Sequence, residues 1–448
     1  MRVINSLTKD QKEAVGLLQI GTFLEYFDLM LYVHMAVLLN DLFFPPTDPY
    51  TKSLIAAFAF CSTYLLRPFG ALIFGYLGDN IGRKSTIILS TGMMSLTCII
   101  MACTPTYENI GITAAWVVTF CRIIQGMSSM GETIGSQIYL TEITKPPFRY
   151  FAGDLTSVCS ALGGFAALAI ASFITTAGLN WRIAFGIGSV VAVIGAIART
   201  RLKESPDFVD MRKKLLDAMK LAHELQPNYK ININKAKNYA GFEKPSKILQ
   251  LAYFIISSAW PASFYFTYIH CANILTSEFG FSSQQIINQN LLVSIIHVVS
   301  FIIFICMSLK INPIKIILWR AYMYIIFMCS VPYMLMNLPE PNFIFYIQVV
   351  SIILALSGVP GNALFISHFP VFKRFTYTSF MYALSRAAMY VITSFSLVFL
   401  VERFSHYGLL LLMIPLSIAF VMSVKFYEKK EKKSFSFSED LNSLQYVG

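Results

Sequence analysis

The chain alternates between long apolar runs and short polar connections. Apolar runs lie near 14–39, 53–77, 86–103, 111–140, 151–176, 181–198, 248–275, 285–309, 316–336, 342–367, 376–401 and 407–424. Each approaches or exceeds the roughly 20 residues that a helix needs to cross a bilayer core about 30 Å thick. Twelve such runs predict an all-α membrane protein, because within lipid a helix satisfies its backbone groups inside a single segment. The one long polar connection, 199–247, divides the spans into six and six. The expected organisation is therefore an N-terminal six-helix half (1–198), a linker (199–247), a C-terminal six-helix half (248–424) and a polar tail (425–448). Within the linker, KESPDFVDMRKKLLDAMKLAHEL reads as a charged helix along the membrane surface, with plain tethering of the halves as its simplest role. The polar start and the absence of a small-residue cleavage site predict an uncleaved first span.

Composition sharpens this picture. The chain is 56% hydrophobic and 13% charged, against about 25% charged in soluble domains, which excludes a soluble enzyme. The net charge of +11 is spread between apolar runs rather than gathered on one polar face, so no nucleic-acid partner is expected. With the N-terminus in the cytoplasm, 28 of the 35 Lys and Arg fall in inner connections, including all of those in 199–247. Three fall outside (Lys52, Arg182, Arg403) and four within spans (Arg67, Arg122, Arg320, Arg386). The positive-inside rule then places both termini in the cytoplasm. The eight cysteines lie in apolar runs without C-x-x-C spacing, so neither a disulfide framework nor a metal site is expected. The expected partners are the lipid bilayer and a small molecule, with the chain a monomer.

Charges inside the spans carry the candidate chemistry. Glu25 and Asp28 are three residues apart, share one face of span 1 and lie ~16 to 21 Å into it. Arg122 lies about 15 Å into span 4. Each such charge costs roughly 2.5 to 3.5 kcal/mol to insert, an expense that points to a pathway or a partner. Two close carboxylates suit a proton carrier, and Arg122 can hold one of them ionised or clamp a substrate carboxylate. The alternative is a static pair pinning span 1 to span 4. Glu132, nearer the inner end of span 4, fits packing or gating as well as a direct site. Arg386 lies about 15 Å into span 11, and no acid occurs in a second-half span. Its partner must come from the first half, from substrate or from water, which favours a carboxylate substrate over a zwitterion; snorkelling to the interface is the bland reading. Arg67, beside Pro68, reads as structural. In span 7, Pro261 predicts a helix break with Trp260, Tyr265 and Tyr268 around it, able to cradle a quaternary ammonium or a ring, or simply to pack. His34, His270, His297 and His368 are isolated and read as packing residues. No catalytic constellation is present, so no enzyme is expected.

The connection between spans 2 and 3, RPFGALIFGYLGDNIGRK (67–84), lacks the Gly-Lys pair and spacing of a phosphate loop. It matches G-x-x-x-D-x-x-G-R-[KR] at Gly75, Asp79, Gly82, Arg83 and Lys84, and here the chain resembles the major facilitator superfamily. The resemblance implies two six-helix pseudo-repeats with substrate bound between them. It also implies that Asp79 and Arg83, with Glu142, form a charge latch closing the inward gate. GTFLEYFDLMLY (21–32), RIIQGMSSMGETIG (122–135), WRIAF (181–185), RLKESPDF (201–208) and FPVFKRFTYTSFMY (369–382) are similar to stretches of its metabolite:proton symporters, which include proline/betaine, 2-oxoglutarate and shikimate carriers. Thr22, Tyr26, Phe27, Ser367 and Ala383 depart from that pattern. The resemblance implies proton-coupled symport of a small polar metabolite, a proline/betaine-like osmolyte or a carboxylate, across a bacterial inner membrane. The proton is then the coupling ion, and no other cofactor is expected. An uncoupled facilitator of an organic acid is the alternative within transport; a polytopic membrane enzyme is the alternative from another class.

Overall fold

The computed structural model describes residues 8–44, 64–225, 244–337 and 340–445. Apart from connections these residues are helical, with no strand among them. Span 1 is a single helix, Lys9–Phe43, and span 3 is Arg83–Cys103. The described part of span 2 is Arg67–Asn80, its outer portion lying outside the described residues. Span 4 runs from Ile112 to Ile143 with a π-turn at Met130–Ile134; span 5 is Phe148–Thr176 and span 6 Arg182–Arg199. The charged linker helix forms as expected, over Pro206–Leu225. The second half contains Ser283–Met307, Pro313–Asn337 and Val371–Phe404 as spans 8, 9 and 11, followed by Gly408–Gln445, which carries span 12 into the tail. Ser282 and Gln285 start span 8 with a reciprocal capping box, which answers two N–H groups that the first turn leaves open.

Six stretches among the described residues are individually long and apolar enough to cross a bilayer. Spans 4, 7 and 10 are interrupted, and spans 11 and 12 fall within one of those stretches. Large apolar side chains such as Phe69, Ile73 and Tyr76 on span 2, and Phe395 and Phe399 on span 11, are exposed and form the lipid-facing surface. Spans 2 and 11 pack on one another, as do spans 5 and 8, so each half contributes two helices to the seam between halves.

Two expectations about spans 7 and 10 are corrected. Span 7 passes through Pro261 as helix, Lys247–Phe264, and its irregularity is a π-turn one turn later, at Tyr265–His270. Proline removes only its own N–H from the ladder, and a widened turn beyond it restores the remaining bonds. Span 10 is not one helix: it stops at Leu354 and resumes only over Asn362–Ser367. The intervening ALSGVPG holds a proline and two glycines. It frees carbonyls at a depth where no water can answer them. Arg320 of span 9, fully buried, donates from Nη2 to Ala355 O (2.7 Å) and from Nη1 to Val359 O (2.9 Å), with its guanidinium 4.3 Å from the Phe304 ring centroid. An arginine within an apolar span is thereby accounted for as the internal donor of a broken helix.

Candidate functional site

At the face carrying the connections 81–82, 144–147 and 368–370, the two halves are locked by buried charge. Asp79, at the end of span 2, accepts hydrogen bonds from Phe375 N (3.1 Å), Thr376 N (2.9 Å) and Thr376 Oγ1 (2.7 Å) of span 11. Gly75 makes that approach possible, since a Cβ there would lie 2.6 Å from Thr376 Cα. Gly82 holds φ 141°, a conformation costly for other residues, and turns the chain so that Arg83 points back under the lock. Arg83 reaches Asp79 (3.1 Å), Glu142 (3.1 Å) and Val371 O (2.6 Å). Glu142 also pairs with Arg374 of the second half at 2.8 Å. The residues that resemblance grouped as a latch thus converge.

Arg374, Ser205 and Glu204 belong to the same cluster, a place that the sequence alone does not give them. The Ser205 hydroxyl donates to Glu142, and Glu204 accepts from the first N–H groups of span 3, at Arg83 (2.9 Å) and Lys84 (3.3 Å). Phe208 packs beneath the Arg83 guanidinium (5.0 Å) and against Phe372 (6.2 Å between ring centroids). The linker therefore does more than tether. Outside the spans, Asp207 lies 3.6 Å from Arg374; partial burial and the nearby Glu142 charge push its carboxyl above the usual range, and Arg374 opposes the shift. A second seam contact joins spans 5 and 10: Asp154, fully buried, accepts from Asn362 Nδ2 (2.6 Å) and Asn362 N (3.2 Å).

Deeper in the first half, Glu25 and Asp28 are both buried but turn to different neighbours. Both Glu25 carboxylate oxygens lie within reach of Thr133 Oγ1 (2.6 and 2.7 Å), inside the π-turn of span 4, and its nearest acidic neighbour is Glu132. Asp28 lies beside Cys98 and Arg122, with Oδ2 buried and without a hydrogen-bond partner. The two acids share a helix face without forming one repelling pair. Arg122 donates from Nη1 to Gln125 (2.9 Å) and sits 4.2 Å from the Tyr32 ring centroid.

The fate of Arg199 corrects the charge assignment made from sequence. Grouped there with the surface charges of the linker, it is instead fully buried at the end of span 6, paired with Glu132 and bonded to Thr91. Gly21 of span 1 leaves the space it occupies, since a Cβ there would lie 1.1 Å from Nη2. Glu132 is thereby a structural partner of Arg199, and the π-turn aims Glu132 and the next residue, Thr133, at different partners.

Across the seam, Arg386 donates to Tyr382 OH (2.9 Å) with its guanidinium 4.5 Å from that ring. Tyr382 is also hydrogen-bonded to Tyr26 of span 1. Arg67 lies 4.4 Å from the Tyr64 ring, and Tyr64 meets Tyr390 at 4.6 Å. Of the span 7 aromatics, Trp260 and Tyr268 fall on one face and are joined by Phe264, at 6.2 and 4.9 Å between centroids; Phe264 in turn approaches Tyr390 at 6.5 Å. Tyr265 turns away into the second-half core. Trp260 stacks on His297 at 5.0 Å, so that histidine is a packing partner. The His34 side chain lies outside the described residues. Among the described residues, no cluster of three metal-ligating side chains occurs.

Helices paired across a central seam, buried ion pairs joining the halves at one face and charged residues buried within the spans define an all-α membrane fold of two halves. Residues 16–357 match the family described as sugar (and other) transporter, and the chain belongs to that family, within the major facilitator superfamily. The chain is 32% identical over 211 residues to the proline/betaine transporter of Escherichia coli, the match covering 46% of this chain and 42% of that protein. It is also 32% identical over 202 residues to the inner membrane metabolite transport protein YhjE of Escherichia coli, covering 43% and 46%. These matches span less than half the length of either relative. The fold matches the proton:xylose symporter XylE bound to 6-bromo-6-deoxy-D-glucose with a TM-score of 0.73, covering 94% of this chain and 95% of that one at 16% identity.

Proposed function

We propose that the chain is a proton-coupled symporter that works by alternating access and takes up a small polar metabolite, a proline/betaine-like osmolyte or a carboxylate. The observation that carries this reading is the lock, found at one face among the described residues: Asp79, Arg83, Glu142 and Arg374 join the halves there, while buried acids and arginines lie behind it. The locked face is cytoplasmic, by the distribution of Lys and Arg, and both termini lie on that side of a bacterial inner membrane. Glu25 and Asp28 carry the coupling proton. Arg122 and Arg386 meet the substrate, and the Trp260–Tyr268 face of span 7 lines its path. The chain works as a monomer. Two names among the relatives, a proline/betaine transporter and an inner membrane metabolite transporter, agree with this substrate range and location.

Proteoliposomes with an imposed inward proton gradient test the reading, using radiolabelled glycine betaine, proline, 2-oxoglutarate and shikimate. Accumulation of one of them above equilibrium, collapsed by a protonophore, is expected. Equilibration that ignores the gradient would identify an uncoupled facilitator instead.

A further inference from the structure

The cations at mid-membrane are not all satisfied from within the protein. Arg199 is neutralised by Glu132, and Arg320 is consumed by the carbonyls of span 10. Of the other buried acids, Asp154 is answered by Asn362 and Asp28 lies beside Arg122, which leaves Arg67 and Arg386. Arg67 Nε and Arg386 Nη1 are buried without a hydrogen-bond partner, as are the Nε atoms of Arg122, Arg199 and Arg320, and the Arg67 and Arg386 guanidinium groups each lie against a tyrosine ring. The two arginines come from opposite halves, span 2 and span 11, and Tyr26, Tyr382 and Tyr390 lie within electrostatic reach of both.

Resting on the transporter reading above, we infer that Arg67 and Arg386 together bind the acidic group of a net-anionic organic substrate, whose body lies among Tyr26, Tyr64, Tyr382 and Tyr390. Planar guanidinium donors suit the paired oxygens of a carboxylate or phosphate, and unanswered buried N–H groups are costly until such oxygens arrive. Among the described residues neither Arg67 nor Arg386 has a carboxylate within ion-pair distance, so an excess of positive charge sits at this pair. A zwitterion or a sugar would leave that excess in place; an anion removes it. A proton taken up by Glu25 or Asp28 enlarges the excess, so protonation strengthens anion binding and the anion favours protonation, as linkage requires. Because one arginine stands on each half, the anion also bridges the halves as they close.

The full chain in nanodiscs, followed by thermal shift and tryptophan fluorescence, is titrated with succinate, 2-oxoglutarate and glycerol 3-phosphate as anions, glycine betaine as a zwitterion and D-xylose as a neutral probe. An anion binds, and both Arg67→Gln and Arg386→Gln weaken it by about tenfold or more while the unliganded melting temperature stays at the wild-type value. Arg67→Lys restores only part of the affinity. Arg386→Gln supplies the reading if Arg67→Gln does not reconstitute. Binding of glycine betaine or xylose that Arg67→Gln leaves unchanged, or the absence of binding by every anion, overturns the inference. An anion that binds with this mutational signature but never enters proteoliposomes overturns the transport reading and leaves the site standing.

Discussion

At the scale of single residues, burial with partners separates chemistry from architecture more sharply than position in a span does. Glu132 and Glu25 both face span 4 surroundings, yet Glu132 is committed to Arg199 while Glu25 holds only a hydroxyl. Glu25→Gln keeps an oxygen to accept from Thr133 and removes the exchangeable proton. Accumulation driven by a proton gradient should fall to the equilibrium level, with substrate exchange retained; Asp28→Asn is its companion, and normal accumulation in both would remove span 1 from coupling. Sequence reasoning singles out Glu25, Asp28, Arg122 and Arg386 because a charge within an apolar run is conspicuous. It missed Arg199 because a charge at the end of a run looks the same whether it snorkels or turns inward. The notch at Gly21 and the partners Glu132 and Thr91, all on other helices, distinguish the two.

At the scale of elements, most spans were legible in the apolar pattern, and their interruptions were not. A proline reads as a break, yet span 7 absorbs Pro261 and widens only afterwards. Span 10 passes as one apolar run because Ala, Leu and Val in its unwound stretch are as apolar as those in its helices. What makes the unwinding tolerable is a donor on a different span, which periodicity cannot reveal. Arg320→Met should leave two carbonyls unanswered and lower stability by about 3 kcal/mol or more. A thermal unfolding midpoint several degrees below wild type in detergent would register it, with Arg320→Lys intermediate. An unchanged midpoint would mean that span 10 satisfies itself.

At the scale of the whole molecule, the residues that resemblance in a short loop groups together meet across the seam, and the packing extends the contact: span 2 on span 11, spans 3 and 4 through Arg83 and Glu142, span 5 on span 10, and the linker beneath. Asp79→Asn keeps one acceptor oxygen and loses the charge. The halves should part more often at this face. In a background without native cysteines, a cysteine placed at Ala363, which faces Gly153 across the seam, should then be alkylated several-fold faster, while equal rates would show that Asp79 does not hold the lock. The glycine at position 75 has a bearing on this balance that no charge has. Where backbone meets backbone without a side chain between, the closed arrangement has no tolerance for growth, whereas the parted one has ample room. A single methyl there acts as a ratio, setting how much of the population waits in each state. Selection on a carrier's resting orientation can thus act through one hydrogen atom, far from anything the cargo touches.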